Sequence, residues 1–213
     1  MKKDKRLIII GAGGFGLETA QWAKDGIIAN SNNYKEIFFI DDDESKRTKL
    51  SKSYNFIGNV NSYKPEENDE VVISVSNPIE REKIRDNLVK KKVIFGKVIH
   101  PSCMITETSK TGSGLIISPW SLISSYSIVG NHVHINIMTS IGHHTKIGSF
   151  SSFSSHVDIT ANCEIGERVY FGSGSRSIPN CKVASGTIVG AGAVVQRSIN
   201  KKTTLFQTST RRI

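Results

Sequence analysis

In blocks of six, residues 117–148 read ISPWSL, ISSYSI, VGNHVH, INIMTS, IGHHTK and IG, and every block opens on isoleucine or valine. The beat runs in phase from Ile99 to Val195, and fifteen of its seventeen positions are apolar, Thr111 and Ser177 being the exceptions. At the chain-wide apolar fraction of 38% about six would be expected, so the period is structural. Four residues after each position comes a second series, from Cys103 through Thr139 to Ile199, nearly all small or β-branched. A six-residue period of this kind builds one flat side of a three-sided parallel β-helix, with the large residue inward and the small one near a corner. One coil cannot bury its own apolar edge, so coils stack until the core is continuous. Glycine follows the aliphatic position at Gly130, Gly142, Gly148, Gly166, Gly172 and Gly190, where a tight corner is expected to favour a residue without Cβ. The period predicts about five to six coils.

Outside the repeat the chain reads as a second, smaller unit. With 213 residues there is room for two domains that each bury a core. No apolar run approaches the roughly 18 residues of a membrane helix. The opening MKKDKRLIIIGAGG has basic residues before an apolar patch, but that patch runs straight into glycines and reads as a strand, not a signal peptide. A cytoplasmic protein is expected. Cys103, Cys163 and Cys181 all fall in the small inward series and read as free thiols, with neither a disulfide set nor a metal site. The net charge of +9 favours anionic partners such as phosphorylated small molecules. Its basic residues are dispersed, which argues against a nucleic-acid face.

In the first 96 residues, Leu7 to Ile10 form a buried strand that leads into Gly11-Ala12-Gly13-Gly14-Phe15-Gly16 and then a helix through Lys24. Glycines spaced G-x-G-x-x-G at a strand-to-helix turn bring backbone N–H groups and a helix N-terminus toward a phosphate. Further strands are expected at Glu36 to Ile40, Val71 to Val75 and Val93 to Phe95, with a helix from about Ile79 to Lys90. Asp41 or Asp42, after the second strand, is placed to hold ribose hydroxyls. About four strands make half of a dinucleotide-binding domain, which suits a single nucleotide.

The glycine loop, the strand ending in Ile40-Asp41-Asp42, Ser76-Asn77 followed by Arg81, and Ile99-His100-Pro101-Ser102 leading into hexads with Ile141-Gly142-His143 follow one another in a set order. That order resembles the bacterial sugar O- and N-acetyltransferases, including those that act on sialic acid and on nucleotide-linked 4-amino sugars. The resemblance implies a Rossmann-like domain at 1–96 binding the nucleotide sugar, and a left-handed β-helix at 97–213 that forms a trimer and uses acetyl-coenzyme A. It maps the family's general base onto His143 and its conserved-motif Asn onto Asn136. A histidine, His144, stands where the family has Asp or Glu. Substrate contacts are expected at Gly11, Gly13, Gly14, Phe15, Asp41, Asp42, Asn77 and Arg81. Coenzyme contacts are expected at Gly172, Gly174, Gly190, Gly192 and Arg211. Phe15 replaces a histidine common in the family's glycine loop and is expected to stack on a base or ring, without donating a hydrogen bond. The leading activity is acetyl transfer to a sugar amine, with O-acetylation as the close alternative. A nicotinamide-dependent oxidoreductase or a silent sugar-nucleotide-binding protein are the other classes compatible with the residues.

Overall fold

The computed structural model describes residues 5–50 and 54–207. Strand β1 (Lys5–Ile10) carries Leu7, Ile8, Ile9 and Ile10 into the middle of a parallel sheet, where all four are buried. An uninterrupted apolar run is what a strand covered on both faces requires. The sheet also contains β2 (Tyr34–Ile40), β3 (Asn55–Phe56), β4 (Asp69–Ile73) and β5 (Ile94–Phe95), in the order β3-β2-β1-β4-β5. Helix α1 (Gly14–Ile28) follows β1, and α2 (Pro78–Lys90) follows β4. Strand β3 is the one that sequence reading omits, because two residues cannot display a period. The winding reverses between β1 and β4, so the carboxyl ends of these two strands border a crevice.

From Val98–Ile99 to Thr204–Leu205 the chain makes eighteen two-residue strands in three parallel sheets of six, five and seven. Ser140 pairs with Asp158 and Ile141 with Ile159, so one left-handed coil takes eighteen residues, three hexads. The second residue of each strand points inward, and Ile117, Ile123, Ile135, Ile141 and Ile159 are wholly buried in one continuous core. From Gly114 to Gly192 each corner turns on a left-handed residue three positions after the inward residue, including Trp120, Tyr126, His132, Met138, His144, Phe150 and His156.

Two features of the coils correct the sequence reading. The glycines that follow the aliphatic positions do not supply the corner's left-handed residue. They are needed because successive coils touch there: a Cβ on Gly142 would lie 2.6 Å from the carbonyl carbon of Thr160, and one on Gly148 2.5 Å from the amide nitrogen of Glu167. The small inward hydroxyls are also more than fillers. Ser121 Oγ donates to the Asn136 carbonyl at 3.0 Å, Ser127 Oγ to Gly142 at 2.9 Å and Thr139 Oγ1 to Ser154 at 2.9 Å. Each ties one coil's interior to the next coil's corner and so satisfies buried polar groups.

The seven-stranded sheet is the seat of the N-terminal unit. Its outward Val98, Ile116, His134 and Ser152 are all buried, and Val98 and Ile116 pack in one cluster with Leu7, Ile9, Trp22 and Phe39. The two units therefore share a core. Among the described residues, no helix is long and apolar enough to cross a membrane.

Candidate active site

The glycine loop divides into two structural and two open positions. Gly11 adopts φ +103°, and a Cβ on Gly16 would lie 1.9 Å from the Gly11 carbonyl oxygen, so these two shape the turn. A Cβ on Gly13 or Gly14 would meet nothing within 4 Å, and no side chain caps α1. The helix thus presents bare first-turn N–H groups to open space, an arrangement suited to a phosphate. A cavity of about 320 Å³ lies there, bordered by Gly11, Gly13, Asp42, Lys46, Ser74 and Glu80.

The two acids after β2 have different surroundings. Asp41 is buried: Oδ2 accepts from the Ala12 N–H at 2.7 Å, Oδ1 from the Asp43 N–H at 2.9 Å, and Lys46 Nζ sits 3.0 Å from Oδ2. It staples the glycine loop to the end of β2, so both its oxygens are engaged within the chain and not turned to a ribose. Asp42 is exposed and uses only Oδ1, which accepts from the Val60 N–H at 3.0 Å.

Arg81 also departs from its expected place, because it is fully buried in the joint between the units. Nε donates to the His132 carbonyl at 3.0 Å, Nη1 to Val75 at 2.7 Å and Ser76 at 3.2 Å, and Nη2 to the Phe150 carbonyl and, at 2.9 Å, to Ser152 Oγ. Burial pushes the guanidinium down to about 9, which still leaves it charged at neutral pH. Carbonyl dipoles, not a carboxylate, solvate this charge, and it has no free donor face for a substrate. Arg81 Nη1 also donates to His134 Nδ1 at 3.2 Å, so His134 must carry its proton on Nε2, which donates to the Ile73 carbonyl at 2.9 Å. Burial, with Arg81 adding, holds His134 well below the ordinary histidine range. With both ring nitrogens engaged, it cannot act as a base. Phe15 packs on this imidazole, centroids 5.1 Å apart, and edge-on against Trp22. Its ring is a wedge between glycine loop and β-helix.

Beside Phe15 lies a small pocket of about 70 Å³ lined by Ser76, His134, Asn136, Ser152, Ser154 and Tyr170 among others. Asn136 Oδ1 accepts from the Ile137 N–H at 2.7 Å. Ser76 and Tyr170 also border a larger cavity of about 560 Å³ that extends along the later coils to Ile188 and Lys202. Asn77 lines it as well, although its side chain is occupied in capping α2, accepting from Ile79 and Glu80. Of the late glycines, Gly172 and Gly190 are accounted for by coil contact, since a Cβ would lie 2.6 Å from the Ala191 amide or 2.9 Å from the Leu205 carbonyl. Gly174, at φ +68°, faces open space. Gly192, at φ +69°, faces Gln207, and Arg211 lies outside the described residues.

His143 and His144 stand together on an exposed corner, Nδ1 to Nδ1 at 3.0 Å, with the Tyr126 ring tilted over His144 at 5.0 Å. Asn136 occupies the preceding corner of the same coil, at the other edge of the sheet strand Ser140–Ile141. Among the described residues no hydrogen bond joins Asn136 to His143, so one chain keeps Asn136 on the side of the glycine-loop cavity and leaves the histidine pair on another. Among the described residues, no group of histidines, cysteines and acids could hold a metal ion.

A Rossmann-like unit seated on a left-handed hexapeptide β-helix, with a phosphate-type glycine loop at the joint, defines the class. Residues 6–88 match the family described as the PglD N-terminal domain. No curated protein sequence matches the chain. Among solved structures, the acetyltransferase domain of PglB from Neisseria gonorrhoeae FA1090 is 25% identical, with TM-score 0.84 over 94% of this chain and 96% of that one. The same domain in complex with acetyl coenzyme A is aligned at 28% identity, with TM-score 0.82 over 92% and 93%. PerB from Caulobacter crescentus, in complex with CoA and GDP-perosamine, shares the fold at TM-score 0.78 and 20% identity over 93% and 91%. The first unit therefore matches the PglD N-terminal domain model, and the whole chain shares the fold of the bacterial sugar N-acetyltransferases that its motifs resemble.

Proposed function

We propose that this chain moves the acetyl group of acetyl-CoA to the amino group of a nucleotide-linked amino sugar, as a cytoplasmic step in building a surface glycan. The observation that carries this reading is the placement of an uncapped glycine-loop cavity beside the Asn136 pocket of a hexapeptide β-helix. The nucleotide lies over Gly13 and Gly14 with Asp42 at its ribose, and the sugar crosses Ser76 toward Asn136. Acetyl-CoA lies along the later coils, where Gly174 leaves backbone bare and Lys202 supplies a cation for phosphate. The neutral amine attacks the thioester carbonyl, the C–N bond forms, and His143 Nε2 takes the proton that the nitrogen sheds. A backbone N–H stabilises the oxyanion, then the C–S bond breaks and the thiolate takes a proton. No acyl-enzyme is needed when the two substrates are held in line.

Because Asn136 and His143 stand at successive corners, we assign the completed site to two neighbouring chains of a trimer, one contributing the nucleotide side and the other its histidine pair. The surface between those corners supports this: Met104 is 65% exposed, Trp120 and Tyr126 60% and Met138 48%. Apolar residues gathered on one face favour a symmetric contact. Light scattering should give a trimer that Trp120→Glu disperses, with activity lost in step; an active monomer would remove the shared site. The activity itself is tested by thiol release from acetyl-CoA against UDP-, GDP- and dTDP-linked amino sugars. Release with none of them would overturn the reading.

A further inference from the structure

We propose that His144 is the working partner of His143: a neutral imidazole that shares one proton with it, keeps His143 Nε2 bare and receives the charge when the substrate's proton arrives. The inference rests on the reading of His143 as base. Two Nδ1 atoms 3.0 Å apart with ring planes at 89° are in hydrogen-bond contact, and such a contact needs one proton between them. When that proton belongs to His143, its Nε2 carries the lone pair and faces substrate. When it belongs to His144, His143 holds its own proton on Nε2 and cannot accept another. In the working direction the amine N–H bond breaks as His143 Nε2–H forms, and His143 Nδ1–H passes to His144 Nδ1. The positive charge then rests on His144, beneath the Tyr126 ring, whose face attracts a cation.

The surroundings explain why this corner differs from a carboxylate-assisted one. The His144 N–H donates to the Ser125 carbonyl and the Asn162 N–H to the His143 carbonyl, both at 2.9 Å. Ser125 and Tyr126 therefore flank the pair from one coil, and Ala161 and Asn162 from the next. None of these four is charged at neutral pH. Among the described residues, no carboxylate lies within ion-pair distance of either ring. Orientation thus comes from a neutral acceptor.

The pair is tested first in the resting trimer, by ¹⁵N NMR of histidine ring nitrogens without substrate. One shared Nδ1–H signal is expected, absent from both His143→Ala and His144→Ala. No such signal in the folded protein would overturn the inference whatever the activity; its presence in a protein that transfers no acetyl group would strike the acetyl-transfer reading and leave the pair standing. In turnover, His144→Ala should lower kcat roughly 10- to 100-fold with little change in the KM for acetyl-CoA, and added imidazole should restore part of it. His144→Glu should move the acid limb of the pH profile upward. His144→Ala within threefold of the parent, with an unmoved profile, would reduce His144 to a surface residue.

Discussion

His132 and His144 occupy the same kind of corner, with φ of 54° and 58°, yet one is 2% exposed and the other lies open to solvent. The difference is what lies against each. The N-terminal unit covers His132, which stacks on Phe150 at 5.1 Å, while its neighbour His134 is locked by Arg81 and Ile73. Among the described residues only the Tyr126 ring lies against His144 besides His143 itself, and the N-terminal unit does not reach it, so its ring is available to His143. One residue type thus stands as a neutral interior plug where the joint closes, and as an exposed ring free to meet a neighbour where it does not.

The largest effect that sharpens this contrast is expected at His143. His143→Ala should cut turnover by about 10²- to 10⁴-fold while the trimer and coenzyme affinity stay intact, as loss of a general base predicts. Steady-state kinetics showing less than a threefold loss would remove it as the base and leave exposed His156, since His134 has no free nitrogen. On the covered side, Arg81→Met should cost about 3–5 kcal/mol in urea unfolding, because several buried carbonyls lose their donor at once. A variant as stable as the parent would show that the joint does not depend on that guanidinium.

The covered histidines also predict acid sensitivity. Burial first, then Arg85 and Arg81, holds His132 down at about 4. An unfolded histidine takes up its proton near pH 6.5, so the unfolded chain binds more protons between about 6.5 and 4. Stability contributed by neutral His132 is therefore present above pH 6.5 and falls as pH drops toward 4, by up to roughly 3 kcal/mol. Urea midpoints taken across this range should show the decline, and His132→Phe, which keeps the ring stack, should flatten part of it; an unchanged slope would place the acid sensitivity elsewhere. The smallest expected effect separates the two acids at the nucleotide. Asp42→Ala should weaken sugar-nucleotide binding by about tenfold, or ~1.4 kcal/mol, without loss of stability. Asp41→Asn should instead lower the melting temperature, because it removes the staple of the glycine loop. Equal behaviour of the two in calorimetry would erase the distinction.

The hexad, the parallel strand β1 and the glycine turn into α1 are all legible in the sequence. Each is a local pattern, in which period, glycine spacing or adjacent residues carry the information. The misread residues share a different property. The family resemblance implies a substrate contact at Arg81, and only the docking of α2 onto the β-helix surrounds it with carbonyls from residues 51 to 70 positions away. Asp41 looked like a ribose ligand because its partner Ala12 comes from another strand's end. Phe15 became a wedge because His134 lies beneath it.

Composition and period by themselves determined that this chain is a small α/β unit followed by a stacked β-helix, because coil geometry repeats every six residues and needs no distant information. Only the tertiary structure decided which histidines are buried plugs and which stand exposed. Burial and hydrogen-bond partners come from the face on which the first unit lands, and that contact is made by residues far apart in the chain.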